Sequence, residues 1–318
     1  MSVSGVNPIP PDGPGEGSTP EAIAVRGTVL LALTAMLLVL VGATWLYDKN
    51  HLPDQFFIQK LEAPARYDLV VVGNSRVYRG VNTAEVLSEL YGRGAEAKGL
   101  NFGFSQLGLT PEILANAESK LLPNAPRKIM ILGIDRASLA RRFVKKNGYL
   151  DLADQTAWER TNALLFGGVE HRFRLKKSVN YISRGQADGF VWSKRTPENT
   201  KEFEDEAEEA GADSGFDQRT FDQVLNWVRS AKERGIEVYG VRIPTTERMY
   251  EIEVRKLGWD EAKVQAQFEG AGGVWISAPA FSKEFHSYDG SHLRHDGAEA
   301  FSRWLGRAIR NRGLEPKQ

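Results

Sequence analysis

The sequence predicts an α/β protein, a three-layer α/β/α domain built on a five-stranded parallel sheet and preceded by one N-terminal transmembrane helix. Two observations predict the domain: from Tyr67 onward short apolar runs alternate with amphipathic segments, and 42% of the residues are hydrophobic, enough for a packed core. The membrane helix is predicted by an uncharged run of about 20 residues, Thr28 to Tyr47, which as a helix would be roughly 30 Å long.

Residues 1–27 are predicted to form a disordered tail, because they are rich in Pro, Gly and Ser and hold few large apolar side chains. Residues 28–47 are predicted to be an uncleaved anchor. A cleaved signal peptide is the alternative, since Val41-Gly42-Ala43 resembles a small-residue cleavage site, but the leader is long and has one basic residue, Arg26. Residues 48–66 are predicted to be a juxtamembrane connector.

The basic residues near the apolar run bear on its orientation. They are more numerous after the run, at Lys49, Lys60 and Arg66, than before it, at Arg26. The positive-inside rule alone therefore places the carboxyl-terminal domain in the cytoplasm. A family resemblance carried by the residues of the sheet domain implies the opposite orientation, with this domain outside the cytoplasm.

Five apolar segments within residues 67–318 are predicted to be the strands of the sheet. They are Asp68 to Val72, Ala97 to Phe102, Lys128 to Gly133, Glu237 to Arg242 and Gly273 to Ser277. Two helices have recognisable beginnings, because Asn82-Thr83-Ala84-Glu85 has the side chains of a capping box and Thr110-Pro111-Glu112 places Pro in a first turn. Phe216 to Arg234 and Ser291 to Arg312 are strongly periodic and are predicted to be long helices.

An insertion at about 136–215 separates the third and fourth predicted strands. It lacks a clear strand rhythm and ends in an acidic stretch, Lys201 to Glu209, which we interpret as a solvated, mobile loop. Its basic clusters, Arg141 to Lys146 and Arg172 to Lys177, are interpreted as solvated helix faces, with attraction of anionic glycan or lipid headgroups as the alternative. Because long loops inside compact domains are functional or disordered, the insertion is predicted to be a lid or acceptor-binding subdomain.

Composition and motifs exclude several classes of function. Lys and Arg together number 41, as do Asp and Glu, so the chain has no excess positive charge that would attract nucleic acid. The absence of Cys excludes a disulfide framework and a thiolate zinc site. Neither a Walker-type loop nor a GxGxxG motif follows a predicted strand, which argues against nucleotide binding. We predict no cofactor.

Three residues have the chemistry of a nucleophilic site. Ser75 follows the first predicted strand, at the edge of an open parallel sheet where ligands bind. Far downstream, Asp289 precedes His292 by three residues, and His292 is predicted to begin the last helix. An imidazole can take the serine proton while the carboxylate holds the other ring nitrogen. Ser75, Asp289 and His292 are therefore the predicted catalytic residues of an acyl-transfer or ester-cleaving site.

Such a site needs donors for the oxyanion of the tetrahedral intermediate. The backbone amides of Ser75 and Gly103 are the candidates, since Gly permits close approach of the backbone. A metal site is an alternative interpretation of the histidine-rich segment, in which imidazole and carboxylate groups cluster. Those groups are His286, Asp289, His292, His295 and Asp296. Because no carboxylate-rich or Cys motif elsewhere completes a ligand set, we predict no metal.

Taken together, these residues resemble the SGNH (GDSL-like) hydrolase and acyltransferase superfamily over about Tyr67 to Arg312, with the insertion unmatched. Four blocks occur in the family's order: Gly73-Asn74-Ser75 (nucleophile), Gly103 (oxyanion glycine), Gly133-Ile134-Asp135 (third block) and Asp289 to His292 (last block). The resemblance implies a flavodoxin-like fold and serine acyl-transfer chemistry. In particular, the chain is similar to membrane-anchored members associated with O-acylation of envelope polysaccharides, whose catalytic domains lie outside the cytoplasm.

One position departs from the family pattern. The third block of the family supplies an Asn whose amide donates to the oxyanion, whereas this chain has Asp135, whose ionised carboxylate would repel it. Three explanations are open: Asp135 pairs with Arg136, Asp135 is held protonated, or Asn74 or Asn101 replaces it. The resemblance leaves Gly103 and Asp135 as the expected oxyanion-hole positions.

The resemblance and the predicted anchor imply a membrane-anchored serine acyltransferase, with acetyl as the acyl group, or an esterase, acting on cell-envelope polysaccharide through an acyl-serine intermediate. The expected partners are the polysaccharide or an acyl-ester substrate, an integral-membrane acyl donor protein, and a bacterial inner or plasma membrane. The residues do not separate a sugar acceptor from water. The alternative is a catalytically inactive relative that binds glycan or acts as a scaffold, and Asp135 is its main support.

Overall fold

The computed structural model describes residues 20–45, 54–161 and 181–314, which divide into two units. The first unit holds one helix, α1 (Pro20–Trp45). It begins at Pro20, so the last residues of the predicted tail are helical, and Pro is favoured in a first helical turn. Residues 1–19 of that tail lie outside the described residues.

A membrane crossing needs about 20 residues that are predominantly apolar. Within the part of the chain that the structure describes, no helix is both long enough and apolar enough to meet this requirement. The transmembrane helix predicted over Thr28 to Tyr47 is therefore not confirmed. Tyr47 itself, and the beginning of the predicted connector, fall outside the described residues.

The second unit is built on a parallel sheet of five strands. The strands are β1 (Leu69–Gly73), β2 (Gly99–Gly103), β3 (Lys128–Gly133), β6 (Ile236–Val241) and β7 (Val274–Ile276). Their order is β2-β1-β3-β6-β7, and every pair is parallel. This is a doubly wound sheet whose strand order reverses between β1 and β3. The predicted α/β class and the five predicted strands are confirmed, each strand to within two residues.

Helices cover both faces of this sheet, as expected for a parallel sheet that is buried on both sides. The described helices of this unit are α2 (Asp54–Leu61), α3 (Ser75–Gly80), α4 (Thr83–Tyr91), α5 (Pro111–Glu118), α6 (Arg141–Lys145), α7 (Gly148–Ala153), α8 (Lys201–Glu209), α9 (Gln218–Glu233), α10 (Glu247–Leu257), α11 (Glu261–Gly270) and α12 (His295–Leu314). One apolar cluster joins the Val70 face of the sheet to α5 and α9, and a second joins the Val71 face to α4 and α12. The two clusters make the three predicted layers.

Local capping explains where two of the predicted helices begin. The Asn82 side chain accepts hydrogen bonds from the amides of Ala84 and Glu85, and the Thr110 side chain accepts one from the amide of Ile113. Each of these contacts satisfies an N–H group that has no partner inside the helix. The two helix starts predicted from the sequence are therefore confirmed.

The insertion contains more regular structure than its sequence predicts. Strands β4 (Tyr181–Gly185) and β5 (Val191–Arg195) form an antiparallel pair, and the acidic stretch is helix α8 instead of a mobile loop. The helix packs on α10, because Ala207 and Phe203 share an apolar cluster with residues of that helix. At the surface, Arg248 contacts Asp205 at 3.2 Å and Arg255 contacts Glu208 at 2.9 Å, exposed ion pairs that add little stability. The second predicted basic cluster, Arg172 to Lys177, lies outside the described residues.

The predicted connector is partly folded onto the sheet domain. It contains α2, whose Ile58 is buried in the same apolar cluster as Val70 and Phe104. Lys60 is also buried and donates a hydrogen bond to the Gly103 carbonyl at 2.9 Å. The globular unit therefore begins before Tyr67, the boundary predicted from the alternation of apolar and amphipathic segments.

The last helix begins at His295, four residues later than the predicted Ser291. The delay has a local cause, because the Asp289 carboxylate accepts the amides of Ser291 and His292 and holds them in a turn. Ser287 and Leu293 also pair as an isolated antiparallel bridge. His292 therefore lies in a bridged turn before the helix, where its position is fixed by hydrogen bonds to the backbone.

Helix α3 approaches the sheet closely because β1, β2 and β3 each end in Gly. A Cβ atom added to Gly73 or to Gly133 would overlap the Cγ2 atom of Val77, the α3 residue that packs on both. We expect Gly133→Ala to lower the free energy of unfolding by about 1–3 kcal/mol through this overpacking, measured by urea denaturation.

The control for this substitution is Gly270→Ala, where the new methyl group would meet no atom within 4 Å and no loss is expected. The double variant Gly133→Ala/Val77→Ala should be more stable than the sum of its two single effects implies, because the overlap is removed. Strictly additive effects of Gly133→Ala and Val77→Ala would contradict this packing.

Candidate active site

Ser75 lies at the carboxyl edge of the sheet, where the strand β1 passes into helix α3. The strand ends at Gly73, and Asn74 caps the helix by accepting the Arg76 amide at 3.0 Å with its side chain. Ser75 is the first helical residue, so its N–H group has no acceptor within the helix. A short, capped turn therefore places the Ser75 hydroxyl beyond the end of a buried strand.

The structure brings Ser75, His292 and Asp289 together in one chain of hydrogen bonds. His292 Nε2 lies 2.8 Å from Ser75 Oγ, and His292 Nδ1 lies 2.8 Å from Asp289 Oδ2. The second oxygen of Asp289 accepts the backbone amides of Ser291 at 3.0 Å and His292 at 2.7 Å. The carboxylate thus fixes both the ring and the backbone of the histidine.

Two aromatic rings hold the imidazole from its sides. Phe203 of the inserted helix α8 meets the His292 ring edge-on at 4.9 Å between centroids, and Tyr288 stacks on it at 6.2 Å. Tyr288 is in turn held by a hydrogen bond from Arg79 at 3.1 Å. These contacts leave His292 only 3% exposed and restrict its rotation.

The electrostatics keep the histidine neutral and its partner ionised. Burial is the largest effect on His292 and lowers its pKa below the ordinary value. The Asp289 charge raises the pKa but does not cancel the effect of burial, and the Arg79 and Arg76 charges lower the pKa further. For Asp289, burial disfavours the charge, but the attraction and hydrogen bonds of His292 outweigh it and lower the pKa of the carboxyl group. A neutral imidazole beside a carboxylate can accept a proton from Ser75.

We expect the ring of His292 to titrate with a midpoint below about 6.5, the ordinary value for histidine. As the pH falls, the unfolded chain takes up this proton before the folded chain does, because the pKa of His292 is lower in the folded state. The free energy of unfolding therefore has its full contribution from neutral His292 above pH about 6.5, and it loses this contribution as the pH falls through the folded pKa. The measurement is an NMR titration of the histidine rings, with the His292 signal identified by its absence in His292→Gln. A midpoint at or above pH 6.5 would contradict the described environment.

The hydroxyl and the imidazole open into a cleft of about 310 Å³. One wall comes from the insertion, through Phe143 of α6 and Phe203 and Ala207 of α8, and Met249 of α10 adds to it. Charged groups also border the cleft, namely Arg76, Arg136, Arg142, Glu206 and Glu209. A cleft of this size accommodates an acyl group together with part of the alcohol that carries it.

Gly103 is not placed as the sequence predicts. Its amide donates to the Asn101 side chain at 3.1 Å and its carbonyl accepts from Lys60 at 2.9 Å, so both of its backbone groups already have partners in the core. Among the described residues that line the cleft, Gly103 is absent. Asn101 is also occupied, because its amide nitrogen donates to the carbonyls of Val77 and Val81. The structure therefore favours neither Gly103 nor Asn101 as a donor to an oxyanion.

Asp135 is an acceptor buried behind Ser75. Its carboxylate accepts from Asn74 Nδ2 at 3.0 Å through each oxygen, from Arg76 Nη1 at 3.3 Å and from the Ser138 amide at 2.8 Å. It does not pair with Arg136, which instead donates to the Ser214 carbonyl. All of these contacts use the carboxylate as an acceptor, and two of them engage the Asn74 amide nitrogen. Asp135 is therefore placed as an acceptor and not as a donor to an oxyanion.

Gln106 borders the cleft and was not identified from the sequence. Among the described non-glycine residues it is the one with a positive φ, 52°. A left-handed backbone conformation is uncommon for such a residue, and strain of this kind clusters at functional sites. Only its position soon after the second predicted strand could have drawn attention to it.

The metal interpretation of the histidine-rich segment finds no support. Within the described ranges, no group of three or more His, Asp or Glu side chains is arranged to hold an ion. His286 is paired with Glu198 at 2.7 Å, and the His295 ring packs on Trp192 at 4.2 Å between centroids. Each of these two histidines therefore contacts a different residue, and neither contact is with His292 or Asp289.

Comparison with known proteins gives two similar structures. No protein-family model and no curated protein matches the chain. A protein from Streptococcus pneumonia, proposed to be a platelet activating factor, is 13% identical, with 88% of this chain and 98% of that chain covered and a TM-score of 0.40. A protein from Bacteroides fragilis, proposed to be an acylhydrolase, is 15% identical, with 84% and 99% covered and a TM-score of 0.39. At these values the likeness carries no argument about activity.

Proposed function

We propose that the protein is a serine esterase or acyltransferase that works through an acyl-serine intermediate. The observation that carries the proposal is the hydrogen-bonded chain from Ser75 through His292 to Asp289, with 2.8 Å at both steps. Serine is a weak nucleophile near neutral pH and needs an adjacent base, and an imidazole oriented by a carboxylate is such a base. The cleft beside Ser75 gives an ester access to the hydroxyl.

The first half of the reaction forms the acyl-enzyme. Ser75 Oγ attacks the carbonyl carbon of the ester while its proton passes to His292 Nε2, and the carbonyl oxygen becomes an oxyanion. The tetrahedral intermediate then collapses, the bond to the alcohol breaks, and the alcohol leaves with the proton from His292. Asp289 remains ionised and stabilises the transient imidazolium.

The second half transfers the acyl group from Ser75. A hydroxyl group from water or from a sugar gives its proton to His292 and attacks the acyl carbon. Collapse of the second intermediate returns the proton to Ser75 Oγ. Water makes the enzyme an esterase, and a sugar makes it an acyltransferase.

The oxyanion in both halves needs donors held in place before the reaction. The Ser75 amide is one donor, because the start of helix α3 leaves it without an intrahelical acceptor. The strained backbone of Gln106 borders the same cleft, and we assign its amide as the second donor. Each donor in such a site is worth about 3 kcal/mol in the transition state.

The finer assignment is membership of the SGNH superfamily, with transfer of an acetyl group to envelope polysaccharide. Membership of the superfamily is supported by the order of the sequence blocks around Ser75 and His292, and by the strand order of the sheet, which suits a flavodoxin-like fold. Acetyl as the acyl group and polysaccharide as the acceptor rest on the sequence resemblance alone. The membrane partners and the extracytoplasmic location remain predictions from the sequence.

A second candidate function is an inactive glycan-binding or scaffold protein with the same fold. The observation that favours it is Asp135, a carboxylate where the superfamily has an oxyanion-binding Asn. The two candidates differ in whether Ser75 is reactive, and this difference can be measured without knowing the substrate.

Fluorophosphonate labelling of the full chain tests the proposal. We expect one adduct per molecule, located on Ser75 by peptide mass spectrometry, because the probe phosphonylates serines that an adjacent base activates, with loss of fluoride. Folded protein that takes up no label, or takes it up on other serines, would favour the scaffold. Envelope polysaccharide added with an acetyl ester then separates transfer, seen as acetylated glycan, from hydrolysis, seen as free acetate.

A further inference from the structure

An arginine directly after the nucleophile is buried beneath the site and has a partner at three of its nitrogens. Arg76 is 3% exposed. Its Nε donates to Ser291 Oγ at 3.0 Å, its Nη1 contacts Asp135 Oδ2 at 3.3 Å, and its Nη2 contacts Glu253 Oε1 at 2.7 Å. The guanidinium group is therefore fixed in one orientation by three different parts of the chain.

These three parts are the ones whose relative position determines the geometry of the site. Ser291 lies next to His292 in the turn before α12, Asp135 follows β3, and Glu253 lies on α10. Arg76 itself lies on α3, one residue after Ser75. The hydrogen bond from Ser75 to His292 joins segments separated by more than two hundred residues. The hydrogen bond from Arg76 to Ser291 joins the same two segments through the neighbouring residues.

Glu253 is the main counter-charge of this group. It is fully buried, it accepts from Arg242 at 2.7 Å, and its other oxygen lies 3.8 Å from Arg136 Nε. Burial alone disfavours its charge, but Arg76, Arg242 and Arg136 outweigh burial and lower the pKa of Glu253 to about 2. A buried cluster of this kind is expensive to desolvate and is weak evidence for a stabilising role, so its place behind the nucleophile calls for another explanation.

We propose that Asp135 and Glu253 are positioning residues that clamp the Arg76 guanidinium, and that Arg76, through Ser291, aligns the turn carrying His292 with the nucleophile Ser75. The inference rests on the proposed function. It gives Asp135 a role of its own: the carboxylate is needed as an acceptor for Arg76 and Asn74, and it is not a defective oxyanion donor.

The same cluster sets the charge around the imidazole. His292 faces Asp289 in its own turn and Arg79 and Arg76 from α3. Across the cleft stand further charged groups, namely Arg136, Arg142, Glu206 and Glu209. Removing a carboxylate from the clamp leaves the Arg76 charge less balanced, so a protonated His292 becomes less favourable. A pH shift is therefore a readout that a purely structural role would not produce.

The first test is Asp135→Asn, which keeps the size of the side chain. We expect fluorophosphonate labelling of Ser75 to slow by about tenfold or more, and the acid-side midpoint of its pH profile to fall by about half a unit or more. If Asp135 were a defective oxyanion residue, the new amide would add a donor and labelling would become faster. Faster labelling, or slower labelling with an unchanged midpoint, would overturn the proposal.

The second test is Glu253→Gln, with Glu251→Gln as its matched control on the same helix. Glu251 is exposed, so its substitution removes the same charge without touching Arg76 and should leave labelling and its pH midpoint unchanged. Glu253→Gln should lower both the labelling rate and the pH midpoint of labelling. If Glu253→Gln fails to fold, Ser291→Ala replaces it, since it removes only the Arg76 hydrogen bond and should still slow labelling by a few fold. Wild-type rates in a folded Glu253→Gln or in Ser291→Ala would overturn the clamp.

An NMR titration of His292 in the same samples separates failure of this inference from failure of the proposed function. The titration does not depend on activity. If the wild-type protein is not labelled but the His292 midpoint falls in Asp135→Asn, the proposed function is wrong and the clamp is correct. If the wild-type protein is labelled and neither rate nor midpoint responds to Asp135→Asn, the clamp is wrong and the function stands.

Discussion

Ser75→Ala is expected to reduce hydrolysis of an activated ester such as p-nitrophenyl acetate by roughly 10⁴-fold or more. The hydroxyl is the only atom in the triad that forms a bond to the acyl carbon, so its loss removes the covalent route entirely. The fold should persist, because Ser75 is partly exposed and its side chain contacts only His292 among the described side-chain hydrogen bonds. The measurement is the steady-state rate, with circular dichroism confirming that the variant is folded.

The matched control is Ser119→Ala, the same chemical change at an exposed serine at the end of α5. Its rate should equal that of the wild-type protein. A Ser75→Ala variant that retains its rate to within about tenfold would show that ester cleavage proceeds at some other group, and the assignment of the nucleophile would then be wrong.

His292→Gln is expected to slow fluorophosphonate labelling of Ser75 by roughly 10⁴-fold. Without a neutral imidazole at 2.8 Å, no group takes the proton as the oxygen attacks. The residual rate should rise steadily with pH, because hydroxide then has to remove the proton. In the wild-type protein, the labelling rate should rise with pH and level off once His292 is neutral. The midpoint of this rise should lie below pH about 6.5, since burial lowers the pKa of this histidine.

His286→Gln is the control for this variant, because His286 is a partly exposed histidine of the same segment, paired with Glu198 and outside the cleft lining. It should be labelled at the wild-type rate. Equal slowing in both variants would indicate a general effect of removing a histidine from the segment, and a His292→Gln protein labelled at the wild-type rate would exclude His292 as the base.

The main elements of the fold were predictable because their signals are local. Strand β3 was predicted at its observed bounds, since a buried parallel strand is a continuous apolar run. The insertion was not predictable in this way, because β4 and β5 are short strands with polar residues. Helix α8 packs Ala207 and Phe203 in an apolar cluster with Met249 and Ile252 of α10, which lie more than forty residues away in the chain. Only tertiary contacts distinguish that acidic helix from a loop.

In the site, too, local sequence patterns were predictable and long-range contacts were not. Ser75 after an apolar strand, and Asp289 three residues before His292, are local patterns, and the structure brings these side chains together. The predicted donor Gly103 is held in the core by Asn101, two residues before it, and by Lys60 of α2. The Lys60 contact is long-range, and no local pattern shows it.

The roles of Asp135 and Glu253 in the clamp could not be predicted from the sequence, because they depend on long-range contacts. Glu253 is one of several charged residues in a helix with ordinary amphipathic spacing, and nothing in that spacing indicates that it meets Arg76. The sequence marks Asp135 only as a departure from a family pattern, because its role as an acceptor depends on Asn74 and Arg76, which the fold brings around it.

The most direct measurement is to trap the acyl-enzyme. The full-length protein is mixed with p-nitrophenyl acetate, quenched in acid within milliseconds to seconds, and analysed by intact-mass and peptide mass spectrometry. We predict an acetyl group on Ser75 that forms in the wild-type protein and is absent from both Ser75→Ala and His292→Gln. Folded wild-type protein that carries no acetyl group on Ser75 at any time, whether or not ester is consumed, would contradict a relay from Ser75 to His292.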